Sequence, residues 1–398
     1  MVTALPEHCT EGKSGFPLAS GQTNFKTFLE DKSMKRIGFL TLLLCIYLAP
    51  AAWLQAASSI KIIKFNVPGA GKAKGQGTEP LAINKSGAIA GFYLDSAGVE
   101  HGFLRSTKGA ITKIDAPGAA ITQAESMNAA GDIAGFYADS SGALHGFLRT
   151  TSGTYTTINA PHAGTGANQG TEALNINTGG EIAGIYIDSG GVAHGFVRST
   201  KGTITEFSAK GAGTKSGQGT FTAGVDGIND AGALPGTYAD SAGVFHSFVR
   251  SPKGAITKFT VSGAGTGAGQ GVLVSGINTG GTVTGIYIDS AGADHGYVLA
   301  KGKVTKFSVP GAGTGSGQGT EPENINTAGD TTGQYLDSGG VNHGFLRLAS
   351  GSFMKFNISG AGTAKGQGTI PSSNNDTDAI TGDYIDSAGV FHGFLLTQ

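Results

Sequence analysis

The chain has 398 residues, of which 69 are Gly, and its formal net charge is −1. That balance excludes a general electrostatic grip on nucleic acid, which needs a basic face. The glycines have no collagen-like triplet period and fall at fixed places, which excludes a fibrous or disordered tract.

Residues 1–33 carry no pattern and are taken as an N-terminal extension, or as an over-extended start. Residues 34–57 have the make-up of a secretory signal. Lys35 and Arg36 are basic, Ile37 to Leu48 is apolar, and Ala49-Pro50-Ala51 or Ala56-Ala57 offers small residues for cleavage. The apolar run is too short to favour a spanning helix. An exported, secreted protein with no membrane span after cleavage is therefore expected. Both cysteines, Cys9 and Cys45, precede the cleavage region, so the mature chain would hold no disulfide.

From residue 58 to 398 one large domain is expected, because a repeat runs through it. Ile60 to Val67 reads as a strand. Thr78–Asn84, Ala88–Asp95, Val99–Arg105 and Ala110–Ala116 read as four more, separated by turns of Asn-Lys-Ser-Gly, Asp-Ser-Ala-Gly and Lys-Gly type. A Gly-rich connector then leads to the next unit. Tyr93, Tyr137, Tyr186, Tyr238, Tyr287, Tyr335 and Tyr384 recur at intervals of 44 to 52 residues. Each is followed by Asp two residues on and His eight residues on, and is preceded by Asn nine residues before. A period of this size built from short strands indicates a propeller or a related repeat architecture. The last unit stops after its third strand, at Gln398, and Ile60–Val67 matches a fourth strand. The expected fold is all-β: a seven-bladed β-propeller, four antiparallel strands per blade, closed by the N-terminal strand pairing with the last blade. Such pairing removes two open sheet edges.

The repeated residues have structural uses. Tyr93 should face His101 across the Asp-turn hairpin, and Gly91 should face Phe103. The seven histidines sit one per unit and away from the axis, so they are expected as hydrogen-bond anchors and not as metal ligands. Each Asp is expected to start a turn; a calcium loop would bring several oxygens together. No metal and no cofactor are expected. Two further sets are candidates for function. Gln76, Gln169, Gln218, Gln270, Gln318 and Gln367 ring the connector face, where amides suit sugar hydroxyls or hydrogen bonds within the loop. Glu79, Glu125, Glu172 and Glu321, read as standing at the entrance of the first strand, break the repeat. They could face the channel as acid/base groups, or be solvated or paired with Lys72 and Lys74. The connector's glycine spacing is not a phosphate loop, because a strand and not a helix follows.

The unit GxYxDSxGxxHGFlR, carried by Gly91, Tyr93, Asp95, His101, Gly102, Phe103, Arg105 and their equivalents, resembles the HAF-repeat family of extracellular bacterial proteins. That resemblance implies an exported repeat protein and supplies no catalytic residues. Ser247, Leu299, Leu396 and Pro235 depart from the pattern, and their units are expected to be distorted. The leading functional expectation is a monomeric binding module for a glycan, a protein or a small ligand, acting through the Gly-rich loop face. The alternatives are a lyase or hydrolase using the four glutamates, and a purely structural surface protein. The sole Trp, Trp53, lies in the signal region, so Tyr155 and Phe221 are the aromatic substitutes for sugar stacking.

Overall fold

The computed structural model describes residues 60–224 and 227–398. The N-terminal extension, the signal segment, both cysteines and Trp53 lie outside the described residues.

Within them the chain forms 28 strands and no helix. Strand β1 is Lys61–Phe65. The first full unit runs β2 (Gly77–Ile83), β3 (Ile89–Leu94), β4 (Glu100–Arg105) and β5 (Ile111–Ile114). Consecutive strands pair antiparallel. The strand ends fall within two residues of the sequence reading, because Asn84, Asp95 and Ser106 each leave the ladder to cap a turn. The succession recurs, with first strands at β6 (Ile121–Met127), β10 (Gly170–Ile176), β14 (Gly219–Thr222), β18 (Gly271–Ile277), β22 (Gly319–Ile325) and β26 (Gly368–Asn374). After β26 come β27 (Ile380–Ile385) and β28 (Phe391–Thr397). β28 pairs antiparallel with β1, with Ile62 opposite Leu396 and Phe65 opposite Gly393. The beginning of the described chain thus lies beside its end. First strands of successive units pack on one another, β2 against both β6 and β26.

The core is divided into small clusters between neighbouring units. At each centre is the aromatic that faces a glycine: Phe103 opposite Gly91 is fully buried, as is Phe248 opposite Gly236. A glycine is needed there because a Cβ on Gly236 would come within 2.3 Å of the Phe248 ring. On the same strand face as the core aromatic, Arg105 lies over Phe65 at 4.9 Å, and Arg250 and Arg347 lie likewise over Phe207 and Phe307. A buried Thr ties the connector to its unit in six units, and Val272 takes its place in the remaining one. Thr78 Oγ1 accepts from Val67 N at 2.9 Å, and Thr171 Oγ1 from Ala160 N at 2.8 Å.

The departures from the repeat have local consequences. β14 has four residues where other first strands have seven. Pro235 stands opposite the point where β14 ends, and with no N–H it cannot continue the ladder. Ser247 is accommodated because its hydroxyl donates to Val272 O of the next unit at 2.8 Å. Leu299 joins an apolar cluster in place of an Arg, and Leu396 is fully buried in another.

Candidate functional site

The connector and the Asp turn emerge on one face. Gly71 N donates to Leu94 O at 2.8 Å, and Gly75 N donates to Gly389 O, in the Asp turn of the preceding unit, at 2.9 Å. The six long connectors each lace two consecutive turns together in this way, whereas the short second connector bonds only its own unit, Ala120 N to Ala138 O at 2.8 Å. The last glycine of a long connector is forced: Gly77 has φ +132°, and a Cβ there would meet Phe391 O at 2.1 Å.

The connector glutamines close this lacing. Gln76 Oε1 accepts from Ala73 N at 3.1 Å while its Nε2 donates to Ser96 O at 3.3 Å. Gln169, Gln218, Gln270, Gln318 and Gln367 make the same two bonds in their own units. Both ends of each amide are thus used inside the loop, and the ring fixes loop shape.

Every repeat histidine stacks on its Tyr with ring centroids 4.8–5.2 Å apart. Its Nε2 lies 2.9–3.4 Å from Oδ2 of the turn Asp. The same Asp accepts two backbone N–H groups on Oδ1, as Asp95 does from Ala97 and Val99 at 2.8 and 3.0 Å. These bonds, led by the Val99 N–H, hold the Asp95 carboxyl below the usual range. The Tyr–His–Asp set is a hairpin clamp, one per unit. No group of three His, Cys, Asp or Glu among the described residues is arranged to hold a metal.

The glutamates do not form the single set that the sequence suggested. Glu79, Glu172 and Glu321 do share one register position, opposite Phe92, Ile185 and Gln334. Their counterpart in the second unit is Gln123, opposite Phe136. Glu125 lies two residues further on, at the bulge between Ala124 and Ser126. The same bulge recurs in other first strands. Counting 14 residues back from the repeat Tyr finds Glu79, Glu172 and Glu321 but Gln123 in the second unit, so the spacing from Tyr137 already separates Glu125 from the other three.

Glu125 is 5 % exposed, and its Oε1 has no hydrogen-bond partner. Burial, with Glu172 and Glu100 nearby, pushes its carboxyl up to about 8. Burial pushes Glu172 up to about 7. Glu100, at the start of β4, is held by Gln123 Nε2 at 2.6 Å. A second acidic pair lies elsewhere in the repeat: Asp294, which opens β20 (Asp294–Ala300), and Glu321. Burial and Glu321 raise the Asp294 carboxyl, and Gln334 Nε2 donates to Glu321 Oε2 at 2.6 Å. Glu100 and Asp294 hold equivalent positions, and the sequence reading missed both. Their signal was an acid directly before the repeat His, where other units carry Leu, Ala, Phe or Asn.

A cleft of about 560 Å³ opens on the loop face, where the first connector meets the last unit. Pro68, Gly69 and Lys72 line one side; Asp386, Ala388 and Phe391 line the other. Tyr155 and Phe221 are not among its lining residues.

The opposite end of the first strands carries the seven repeat asparagines. Asn375 Nδ2 donates to Asn84 O at 3.1 Å, Asn326 Nδ2 to Asn375 O at 3.2 Å, and Asn278 Nδ2 to Asn326 O at 3.0 Å. Asn84, Asn177 and Asn229 make the same bond to the next unit. These asparagines were legible as turn starters, but their lateral bonding was not.

No protein-family model matches the chain, and no curated protein sequence does. Solved structures do. Virginiamycin B lyase from Staphylococcus aureus is 14% identical with a TM-score of 0.55, over 85% of this chain and 100% of that one. A streptogramin B lyase is 13% identical with a TM-score of 0.54, over 85% and 98%. The BP39L lectin from Burkholderia pseudomallei is 13% identical with a TM-score of 0.50, over 79% and 97%. At these identities the likeness shows the fold alone: the chain is an all-β, propeller-like repeat protein.

Proposed function

We propose that this protein is an exported seven-bladed β-propeller of the HAF-repeat kind, with four strands per blade, that binds another molecule through its Gly-rich loop face. The observation that carries this reading is the cleft of about 560 Å³ between the first connector and the last Asp turn. Its size suits a small ligand or a sugar unit. Its walls are held rigid by Gln76 and by the Asp386–His392 pair at 3.1 Å. It offers a cation in Lys72, an aromatic edge in Phe391 and an exposed wall at Ala388. A preformed cleft loses little ordering entropy on binding. The resemblance to a lectin in fold agrees with a glycan ligand.

The test is a glycan array run on the mature chain and on Ala388→Trp, which fills the cleft from an exposed position. Binding by the first that the second loses supports the site. Binding retained by Ala388→Trp places the ligand elsewhere.

A lyase or hydrolase reading has one observation in its favour: Glu125 and Glu172 are adjacent carboxyls raised to about 8 and 7, the range of a general acid. The lyases named above agree with it in fold only. A polysaccharide-cleavage screen, repeated with Glu172→Gln, decides between the two. Cleavage lost in the folded variant establishes the enzyme.

A further inference from the structure

Four polar side chains line the loop-face cleft: Asn66, Lys72, Asp386 and His392. Three of them hold one another. His392 Nδ1 lies 3.0 Å from Asn66 Oδ1, and its Nε2 lies 3.1 Å from Asp386 Oδ2. Asp386 Oδ1 accepts from Ala388 N and Val390 N at 2.8 and 3.0 Å. Both oxygens of this carboxylate are therefore used within its own hairpin. Lys72 is the exception. It is exposed, and its ammonium meets no hydrogen-bond, ion-pair or ring partner among the described residues.

Lys72 also departs from the repeat. The five other long connectors carry Thr at this place: Thr165, Thr214, Thr266, Thr314 and Thr363. The loop bonds on either side, made by Gly71 N, Ala73 N and Gly75 N, are those of the other long connectors. The Lys therefore contributes nothing to the shape of the loop. Pro68 and Phe391 give the cleft apolar and aromatic surface. Such walls with one placed charge suit a ligand that has an apolar face and one group of opposite charge. A pyranose ring that bears a carboxylate has both.

We infer that the ligand of this cleft is an acidic sugar, a uronic-acid residue whose carboxylate pairs with Lys72 while the C–H face of its ring lies on Phe391. This ligand class presupposes the loop-face site proposed above. A pair made at an exposed Lys raises affinity by up to about fivefold at low salt. It fades at about 1 M salt, where the screening length falls to about 3 Å.

The probes are methyl glucuronide and methyl glucoside, which differ only by a carboxylate in place of a hydroxymethyl group, with acetate as the bare carboxylate. Dissociation constants are measured by NMR titration on the mature chain, on Lys72→Thr and on Lys365→Ala. Lys72→Thr restores the residue of the other long connectors. Lys365 lies outside the cleft, with its stem over Gly340, and reports any general attraction by loop-face lysines. The expected result is a glucuronide bound about three- to fivefold more tightly than the glucoside by the parent and by Lys365→Ala. The preference should vanish in Lys72→Thr and, for the parent, in about 1 M salt. Equal binding of the two sugars by the parent, lost in Ala388→Trp, would overturn the acidic-sugar inference and leave the loop-face site standing. A preference kept by Lys72→Thr, or removed equally by Lys365→Ala, would overturn the pairing with Lys72. Acetate bound as tightly as the glucuronide would overturn the sugar. Glucuronide binding kept by Ala388→Trp would overturn the cleft as the site, and the acidic sugar in it as well.

Discussion

Replacing Glu125 by Gln should stabilise the protein, by an amount that pH sets. The unfolded chain ionises this carboxyl at the ordinary value of 4.5, whereas the fold raises it to about 8. A raised carboxyl contributes its full stability below the unfolded value and loses it as pH rises through the folded one. At pH 7 the unfolded state gains the ionisation that the folded state refuses, over 2.5 pH units at about 1.4 kcal/mol each, or roughly 3 kcal/mol. At pH 5 the same reckoning gives less than about 1 kcal/mol, and at pH 9 about 5 kcal/mol. Glutamine has nearly the same shape and no charge to lose, so Glu125→Gln should recover these amounts. Urea unfolding of both proteins at pH 5, 7 and 9 measures the difference. A gap that is constant across the three values, or a variant less stable at pH 9, would refute the account of Glu125 as a buried carboxyl crowded by Glu172 and Glu100.

His194→Ala removes a ring stacked on Tyr186 at 4.8 Å and a bond to Asp188 at 3.2 Å. It should cost about 1–2 kcal/mol in thermal unfolding and leave glycan binding at permissive temperature unchanged. Ile63→Pro breaks the ladder opposite Leu395 and should cost about 3 kcal/mol or more, read as a lowered melting temperature. A melting temperature equal to that of the parent would mean that the β1–β28 pairing contributes nothing. Gln318→Ala frees Gly315 N and Ser338 O, and should speed proteolytic nicking at residues 311–318 with little change in global stability.

The sequence by itself determined the repeat and the character of each strand. Tyr, Asp, Gly and His at fixed offsets specify a hairpin locally, because Asp caps its own turn and Gly98 supplies the positive φ of +78°. The pairing of β1 with β28 was legible too, since an incomplete last unit and a spare first strand complement each other. The histidines were readable as anchors for the same local reason. The tertiary structure decided what depends on neighbours. Whether Gln76 offers its amide outward or spends it on Ala73 and Ser96 is a question of loop curvature, which composition does not encode. Glu125 holds the unpaired bulge position that carries Leu81 and Leu174 in other units, and its burial beside Glu172 and Glu100 follows from how neighbouring units pack. Asn374, the last residue of β26, takes the place that Ile83 and Ile325 hold in other first strands, and only the assembled units bring those positions to one cavity. Local chemistry is written in short-range spacing, while burial and electrostatic neighbourhood arise only when separate units meet.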